Sequence, residues 1–131
     1  MASGRKDYWI GFDFGKSVFG VYQTPIYYSG YIAIAAGASD NVFTYTVPAD
    51  TVFYLGSLIL SCKMPGFQRL ILSMGDYVFG AIYWNSFLNL NFPEAGVIPV
   101  PAGKTVIPNI NNEDDVEVTI YGAMTGFLQA V

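Results

Sequence analysis

Hydrophobic and polar residues alternate with a period of two in short runs along most of the chain. Such alternation is typical of β-strands, because successive side chains of a strand point to opposite faces of the sheet. In residues 88–91, for example, leucine alternates with asparagine, and no stretch keeps a helical period over three turns. The predicted strands are 8–14, 26–36, 42–47, 52–63, 67–74, 77–84, 86–92, 97–100, 105–110, 116–121 and 125–130.

Glycine and proline lie between these runs and predict turns about every 8–12 residues, the spacing of an antiparallel β-sandwich. One turn sequence occurs twice: residues 47–52 read VPADTV and residues 100–106 read VPAGKTV. Two equivalent turns suit a fold with two similar halves, such as a jelly roll built from two Greek keys. We therefore predict an all-β protein, a single jelly roll of about 8–10 strands.

The composition is unusually apolar, with 53% hydrophobic, 17% aromatic and only 12% charged residues. An average soluble domain has about 25% charged residues. Several predicted strands are apolar on both faces, whereas the outer face of a two-layer sandwich is normally in contact with water. The excess apolar surface indicates burial against other subunits, so we expect a homo-oligomer, a trimer or higher.

The side-chain inventory argues against several function classes. The chain has no histidine and a single cysteine, Cys62, which disfavours histidine-based catalysis and thiolate metal clusters. The net charge is -4 and the six basic residues are dispersed, which disfavours nucleic-acid binding. No apolar run reaches the length of about 18 residues that a membrane span needs, and no signal peptide is recognisable. We predict no enzymatic activity.

Two motifs have alternative interpretations. Gly15-Lys16-Ser17 resembles the end of a phosphate-binding loop, but position 10 holds isoleucine instead of the required glycine, so a β-hairpin turn is favoured. Residues 109–117 are rich in asparagine and carboxylates, and Glu113, Asp114 and Asp115 are candidate ligands of a structural calcium ion. A solvated loop is the favoured alternative, and no other cofactor is expected.

The aromatic residues allow two interpretations. They are either core and interface residues or a platform on which a glycan stacks. The candidates for an interface or binding site are Tyr22, Tyr27, Tyr28, Tyr31, Tyr83 and Trp84.

From about residue 35 to the end, the chain resembles the small single jelly-roll structural proteins of viruses. The resemblance is in the VPA turn at 47–49, in LNLNFP at 88–93, in IPVPAGKT at 98–105 and in VEVTIYG at 116–122. It implies a coat, decoration or spike component located in the virion, or inside the cell before assembly. It also implies that the protein binds itself and other virion proteins.

The resemblance does not extend to residues 1–34. We therefore expect one domain, in which residues 35–131 form the jelly-roll core and residues 1–34 add strands or an arm that packs on the sandwich or on a neighbour. The predicted function is that of a non-enzymatic viral structural protein. A β-sandwich module that binds glycans or a host surface is the alternative.

Overall fold

The computed structural model describes residues 23–63, 66–91 and 98–131, and these residues form β-strands and no helix. The ten strands are β1 (Gln23–Ile34), β2 (Ser39–Asn41), β3 (Tyr45–Thr46), β4 (Thr51–Cys62), β5 (Phe67–Met74), β6 (Tyr77–Asn85), β7 (Phe87–Asn91), β8 (Pro99–Pro101), β9 (Thr105–Asn112) and β10 (Val118–Ala130). The predicted all-β class is confirmed.

The strands form two antiparallel sheets that pack against each other. The first sheet has the order β1-β10-β4-β7, with β8 also paired to β4, and the second has the order β6-β5-β9-β2, with β3 also paired to β9. Among the described strands, the hydrogen-bonded path continues from one sheet to the other through the pair Asn85↔Phe87 between β6 and β7. The protein is therefore a β-sandwich, as predicted.

Alternation along the strands generates the core between the sheets. In β5, Gln68, Leu70, Leu72 and Met74 are buried, while the residues between them are at least partly exposed. β9 shows the same alternation over its eight residues. The core receives apolar side chains from both sheets: Ile34, Val42, Phe43, Val47, Phe53, Leu55, Leu58, Leu60, Cys62, Leu70, Leu72, Met74, Trp84, Val100, Val106, Ile110, Val118, Ile120 and Met124.

Two predicted elements differ from the observed ones. The run 42–47 was expected to be one strand, but only Tyr45 and Thr46 form a strand, β3, and residues 42–44 connect it to β2. Val42 and Phe43 are both buried although they are consecutive, which an unbroken strand does not permit because its neighbours point to opposite faces. The runs 116–121 and 125–130 instead merge, from Val118 onward, into one long strand, β10.

The structure brings the two copies of the repeated turn side by side. The Val47 N–H donates to the Lys104 carbonyl at 2.9 Å, and the Gly103 N–H donates to the Val47 carbonyl at 2.9 Å. Each turn has a positive φ at its third residue after the valine, 61° at Asp50 and 83° at Gly103. The sequence repeat therefore corresponds to two turns of similar backbone conformation.

The segment 1–34 is described only in its second part. Residues 23–34 form β1, which lies at the end of the first sheet and pairs with β10 over its whole length. The predicted strand 8–14 and the Gly15-Lys16-Ser17 motif lie outside the described residues, so the division at residue 35 stays a prediction. Within the described part of the chain, no helix is long and apolar enough to cross a membrane.

Candidate functional site

The outer face of the first sheet carries tyrosines next to small polar side chains. The even-numbered residues in the middle of β4 and β10, such as Leu58, Leu60 and Met124, are fully buried, so the odd-numbered residues there point outward. Three rows of outward residues run across the sheet from β1 to β7: Tyr27–Thr125–Ser57–Asn91, Ser29–Ala123–Ile59–Asn89 and Tyr31–Tyr121–Ser61–Phe87. We call these twelve residues the tyrosine face.

The tyrosine face contains a shallow depression of about 270 Å³. Its lining includes Tyr27, Ser29, Tyr31, Ser61 and Tyr121. The side chains of Tyr27 and Tyr31 are 70% and 72% exposed, and that of Tyr121 is 44% exposed. The tyrosine rings form the walls of the depression, because the residues between them are too short to reach the same height.

The rings of Tyr31 and Tyr121 lie side by side across β1 and β10. Their centroids are 5.8 Å apart and their planes are inclined by 30°. Such an offset arrangement of aromatic rings is favourable, and it leaves both rings with a solvent-facing side. The two tyrosines therefore form a continuous aromatic surface at one end of the depression.

None of the twelve residues of the tyrosine face is charged. The polar groups are hydroxyls and amides, and one pair of them, Ser57 Oγ and Thr125 Oγ1, shares a hydrogen bond of 2.7 Å. Such a surface offers aromatic rings together with hydrogen-bond donors and acceptors.

One of the predicted tyrosines, Tyr28, packs on the inner side of β1 instead of lying on the tyrosine face. Tyr28 points to the opposite side of β1 from Tyr27, and its ring packs edge-on against Phe43 with centroids 5.3 Å apart. It also contacts Tyr45, at a centroid distance of 5.2 Å. Burial raises the pKa of the Tyr45 hydroxyl above its usual value of 10.0, and the neighbouring Tyr28 raises the pKa further. Tyr28 therefore helps to hold β1 against β3.

Two further aromatic candidates, Trp84 and Tyr83, are separated from the tyrosine face. Trp84 is only 4% exposed and belongs to the core, so its indole is not available to a ligand. It lies on β6 opposite the buried Gln68, a core-facing position of the strand. Tyr83 points to the outer side of the second sheet and is 59% exposed. Tyr22 lies outside the described residues.

A second outer surface, which we call the second-sheet patch, lies on the other sheet of the sandwich. It is formed by outward residues of β5, β6 and β9, namely Phe67, Arg69, Ile71, Val78, Tyr83 and Ile107. The polar residues Ser73, Asn85, Asn109 and Asn111 lie between them in the strand register. Phe67 and Val78 are 61% and 64% exposed. The only charged member is Arg69, whose Nε lies 4.0 Å from a carboxylate oxygen of Glu113.

The acidic residues proposed for calcium contact other protein groups. The Asp114 N–H donates to the side-chain oxygen of Asn112 at 2.9 Å, and an Asp114 carboxylate oxygen accepts from Gln68 Nε2 at 3.4 Å. Glu113 faces Arg69, as described above, and Asp115 is exposed. Across residues 23–63, 66–91 and 98–131, no three His, Cys, Asp or Glu side chains come together as a group that could hold a metal ion.

The sequence did not reveal the polar part of the tyrosine face. Tyr27 and Tyr31 were candidates, but Tyr121 and the serines of β4 were not, since they are 90 and about 30 residues away along the chain. The alternation within 116–121 placed Tyr121 on one face of a strand without indicating which face is exposed. Only the long-range pairing of β1 with β10 brings these residues together.

Comparisons with known proteins do not identify a relative. No protein-family model matches the chain, and no curated protein matches it.

Proposed function

We propose that this protein is a non-enzymatic structural component of a virion that self-associates through the second-sheet patch. The observation that carries the proposal is the exposure of Phe67, Val78 and Tyr83 on one outer sheet face with a single charged residue among them. The centres of protein interfaces are enriched in aromatic residues and arginine and depleted of lysine and carboxylates. The second-sheet patch has that composition.

A second copy of the chain is the partner that suits this patch best. The chain has only 12% charged residues, so its whole surface contains few charges that would repel a second copy. Arg69 already faces Glu113, which reduces the cost of bringing its charge into an interface. Burial of the exposed apolar side chains removes them from water, which is the dominant favourable term in association.

The strand pairing supports the assignment to a jelly roll and, through it, to the viral structural class. β1 pairs with β10, β2 with β9, β4 with β7 and β5 with β6. Early strands thus pair with late ones in nested order, as they do when one long antiparallel hairpin is wrapped into two sheets. This order supports the single jelly roll that the turn motifs predicted.

The chemistry of the described residues supports a non-enzymatic role. The chain has no histidine, and within the described residues no three Asp, Glu or Cys side chains form a group that could hold a metal ion. Acid–base catalysis needs a positioned group with a pKa near the working pH. The residues that are concentrated at the surface are aromatic and neutral, which suits binding and assembly.

The oligomeric state of the purified protein tests the proposal. We expect size-exclusion chromatography with multi-angle light scattering to show a homo-oligomer that dissociates on dilution. Val78→Lys should raise the dissociation constant at least about tenfold, since a buried unpaired charge in the interface costs more than 1.4 kcal/mol. Val78 is 64% exposed in the single chain, so the substitution leaves the fold intact.

The matched control is Asn89→Lys, which adds the same charge to an exposed strand residue of the tyrosine face. This variant should associate like the wild type. A wild-type protein that stays a monodisperse monomer at high concentration would refute self-association. If Val78→Lys and Asn89→Lys weakened self-association by the same factor, the interface would not be the second-sheet patch, and this part of the proposal would be contradicted.

A further inference from the structure

The tyrosine face has the features of a carbohydrate site, and we infer that it binds a neutral oligosaccharide. This inference goes beyond the self-association proposed above, since it concerns the opposite outer face of the sandwich. It starts from the three exposed rings of Tyr27, Tyr31 and Tyr121 around the shallow depression. A sugar ring has apolar C–H faces that stack on an aromatic ring and hydroxyls that need hydrogen-bond partners.

The polar residues around the rings can supply the hydrogen-bond partners that sugar hydroxyls need. Ser29 and Ser61 line the depression, and Ser57, Asn89 and Asn91 extend the same rows toward β7. Hydroxyl and amide groups both donate and accept hydrogen bonds, so they match the mixed donor and acceptor character of sugar hydroxyls. The tyrosine hydroxyls add further groups at the edge of the rings.

The absence of charge on the tyrosine face decides which saccharides fit. None of its twelve residues is a lysine or an arginine, which would pair with a sialic acid carboxylate or a sulfate. A nucleic acid is disfavoured for the same reason, because its phosphates require basic partners. The ligand class that uses aromatic faces and neutral hydrogen bonds without ion pairs is a neutral glycan.

The spacing of the rings favours a chain of sugars over a single one. Tyr27 and Tyr31 are four residues apart on β1, which corresponds to about 13 Å along the strand. One sugar ring cannot contact both side chains over that distance. The depression between them is shallow and smaller than the pockets that enclose drug-sized ligands. An oligosaccharide that runs along β1, with one unit next to Tyr27 and another in the depression next to Tyr31 and Tyr121, fits this arrangement.

The test is a glycan array followed by calorimetry. The array carries neutral oligosaccharides of glucose, galactose, mannose and N-acetylglucosamine, together with sialylated and sulfated counterparts. We expect binding to neutral members, and isothermal titration calorimetry with the strongest of them should give a saturable signal. Tyr31→Ala and Tyr121→Ala should each raise the dissociation constant about tenfold, the effect of losing one aromatic contact.

Two controls keep the result specific to the tyrosine face. Tyr77→Ala removes a tyrosine of β6 that is 56% exposed and belongs to neither named surface, so it should leave glycan binding unchanged. Tyr31→Phe keeps the ring and should retain most of the affinity. Light scattering on each variant separates a loss of glycan binding from a loss of self-association, so the two proposals can fail independently.

Three results would overturn the inference. One is the absence of binding to every neutral oligosaccharide at millimolar ligand. Another is binding restricted to sialylated or sulfated members. The third is an unchanged dissociation constant in Tyr31→Ala and Tyr121→Ala, with folding verified by circular dichroism.

Discussion

Asn112 at the end of β9 joins three chain segments from a fully buried position. Its side-chain amide donates to the carbonyls of Ile34 and Val116 at 3.0 and 2.8 Å. Its side-chain oxygen accepts the N–H of Asp114 at 2.9 Å. A buried polar side chain is costly unless it is hydrogen-bonded, and Asn112 satisfies backbone groups that would otherwise be left unpaired.

We predict that Asn112→Ala lowers the free energy of unfolding by about 3 kcal/mol, because buried backbone groups lose their partner. Urea denaturation followed by fluorescence measures the change. Asn109→Ala, on the same strand, removes only a hydrogen bond to Asn41 at the surface and should cost less than about 1 kcal/mol. Equal losses in the two variants would contradict this account of Asn112.

At the level of elements, β10 continues through a bulge where the sequence suggested two strands. The register between β10 and β4 shifts between Thr125 and Gly126. A Cβ atom at Gly126 would lie 2.7 Å from Phe53 Cζ and would also collide with the Tyr54 carbonyl. Glycine is therefore required at this point because the backbone of β4 approaches so closely.

Gly126→Ala should destabilise the protein by about 1–3 kcal/mol, since an overpacked site forces the backbone to shift. The thermal unfolding midpoint measured by circular dichroism reports the loss. Gly80→Ala in β6 is the control: a Cβ there meets nothing within 4 Å, and its effect should stay within about 0.5 kcal/mol. If Gly126→Ala unfolded at the wild-type temperature, the close contact with β4 would be disproved.

Strand β5 shows which elements a single sequence predicts well. The predicted run 67–74 coincides with the observed strand, whose residues are alternately buried and more exposed, although the buried side includes the polar Gln68. The run 42–47 was predicted poorly, since the path of the chain there depends on how the core is filled by Val42 and Phe43. Local patterns describe a regular strand, and they do not describe a strand interrupted by packing.

At the scale of the whole molecule, strands that are far apart in sequence lie side by side. β1 pairs with β10 over twelve residue pairs, so the first described strand is held by the last one. β4 lies between β10 and β7 in the same sheet. The chain must close long loops before these pairings are made, and the entropy of loop closure opposes folding until they form.

This topology predicts slow folding, with a main phase in the range of milliseconds to seconds, as in other β-sandwiches. Stopped-flow fluorescence of the buried Trp84 in a Trp9→Phe background measures the rate. The chain has seven prolines, whose isomerisation adds phases of tens of seconds that double-jump experiments separate. A main phase completed within microseconds would contradict the dominance of long-range pairing.

The tyrosine face and the second-sheet patch are also properties of the whole molecule. The tyrosine face takes its rows from β1, β10, β4 and β7, and no two of these strands follow each other directly in the chain. The sequence indicated that Tyr27 and Tyr31 were candidates for binding, but it did not indicate that serines and asparagines lie beside them. It also grouped Trp84 with the tyrosines, whereas the structure buries it in the core.

The sequence by itself determined the class of the protein. Alternation, turn residues and the lack of helical periodicity are local properties, so the all-β class and most strand positions follow from neighbouring residues alone. The repeated VPA turn and the absence of histidine can likewise be read directly from the sequence. The tertiary structure decided which face of each strand is exposed and which strands are neighbours, because these depend on contacts between residues up to about a hundred positions apart. The tyrosine face and the second-sheet patch are therefore formed only by the tertiary structure.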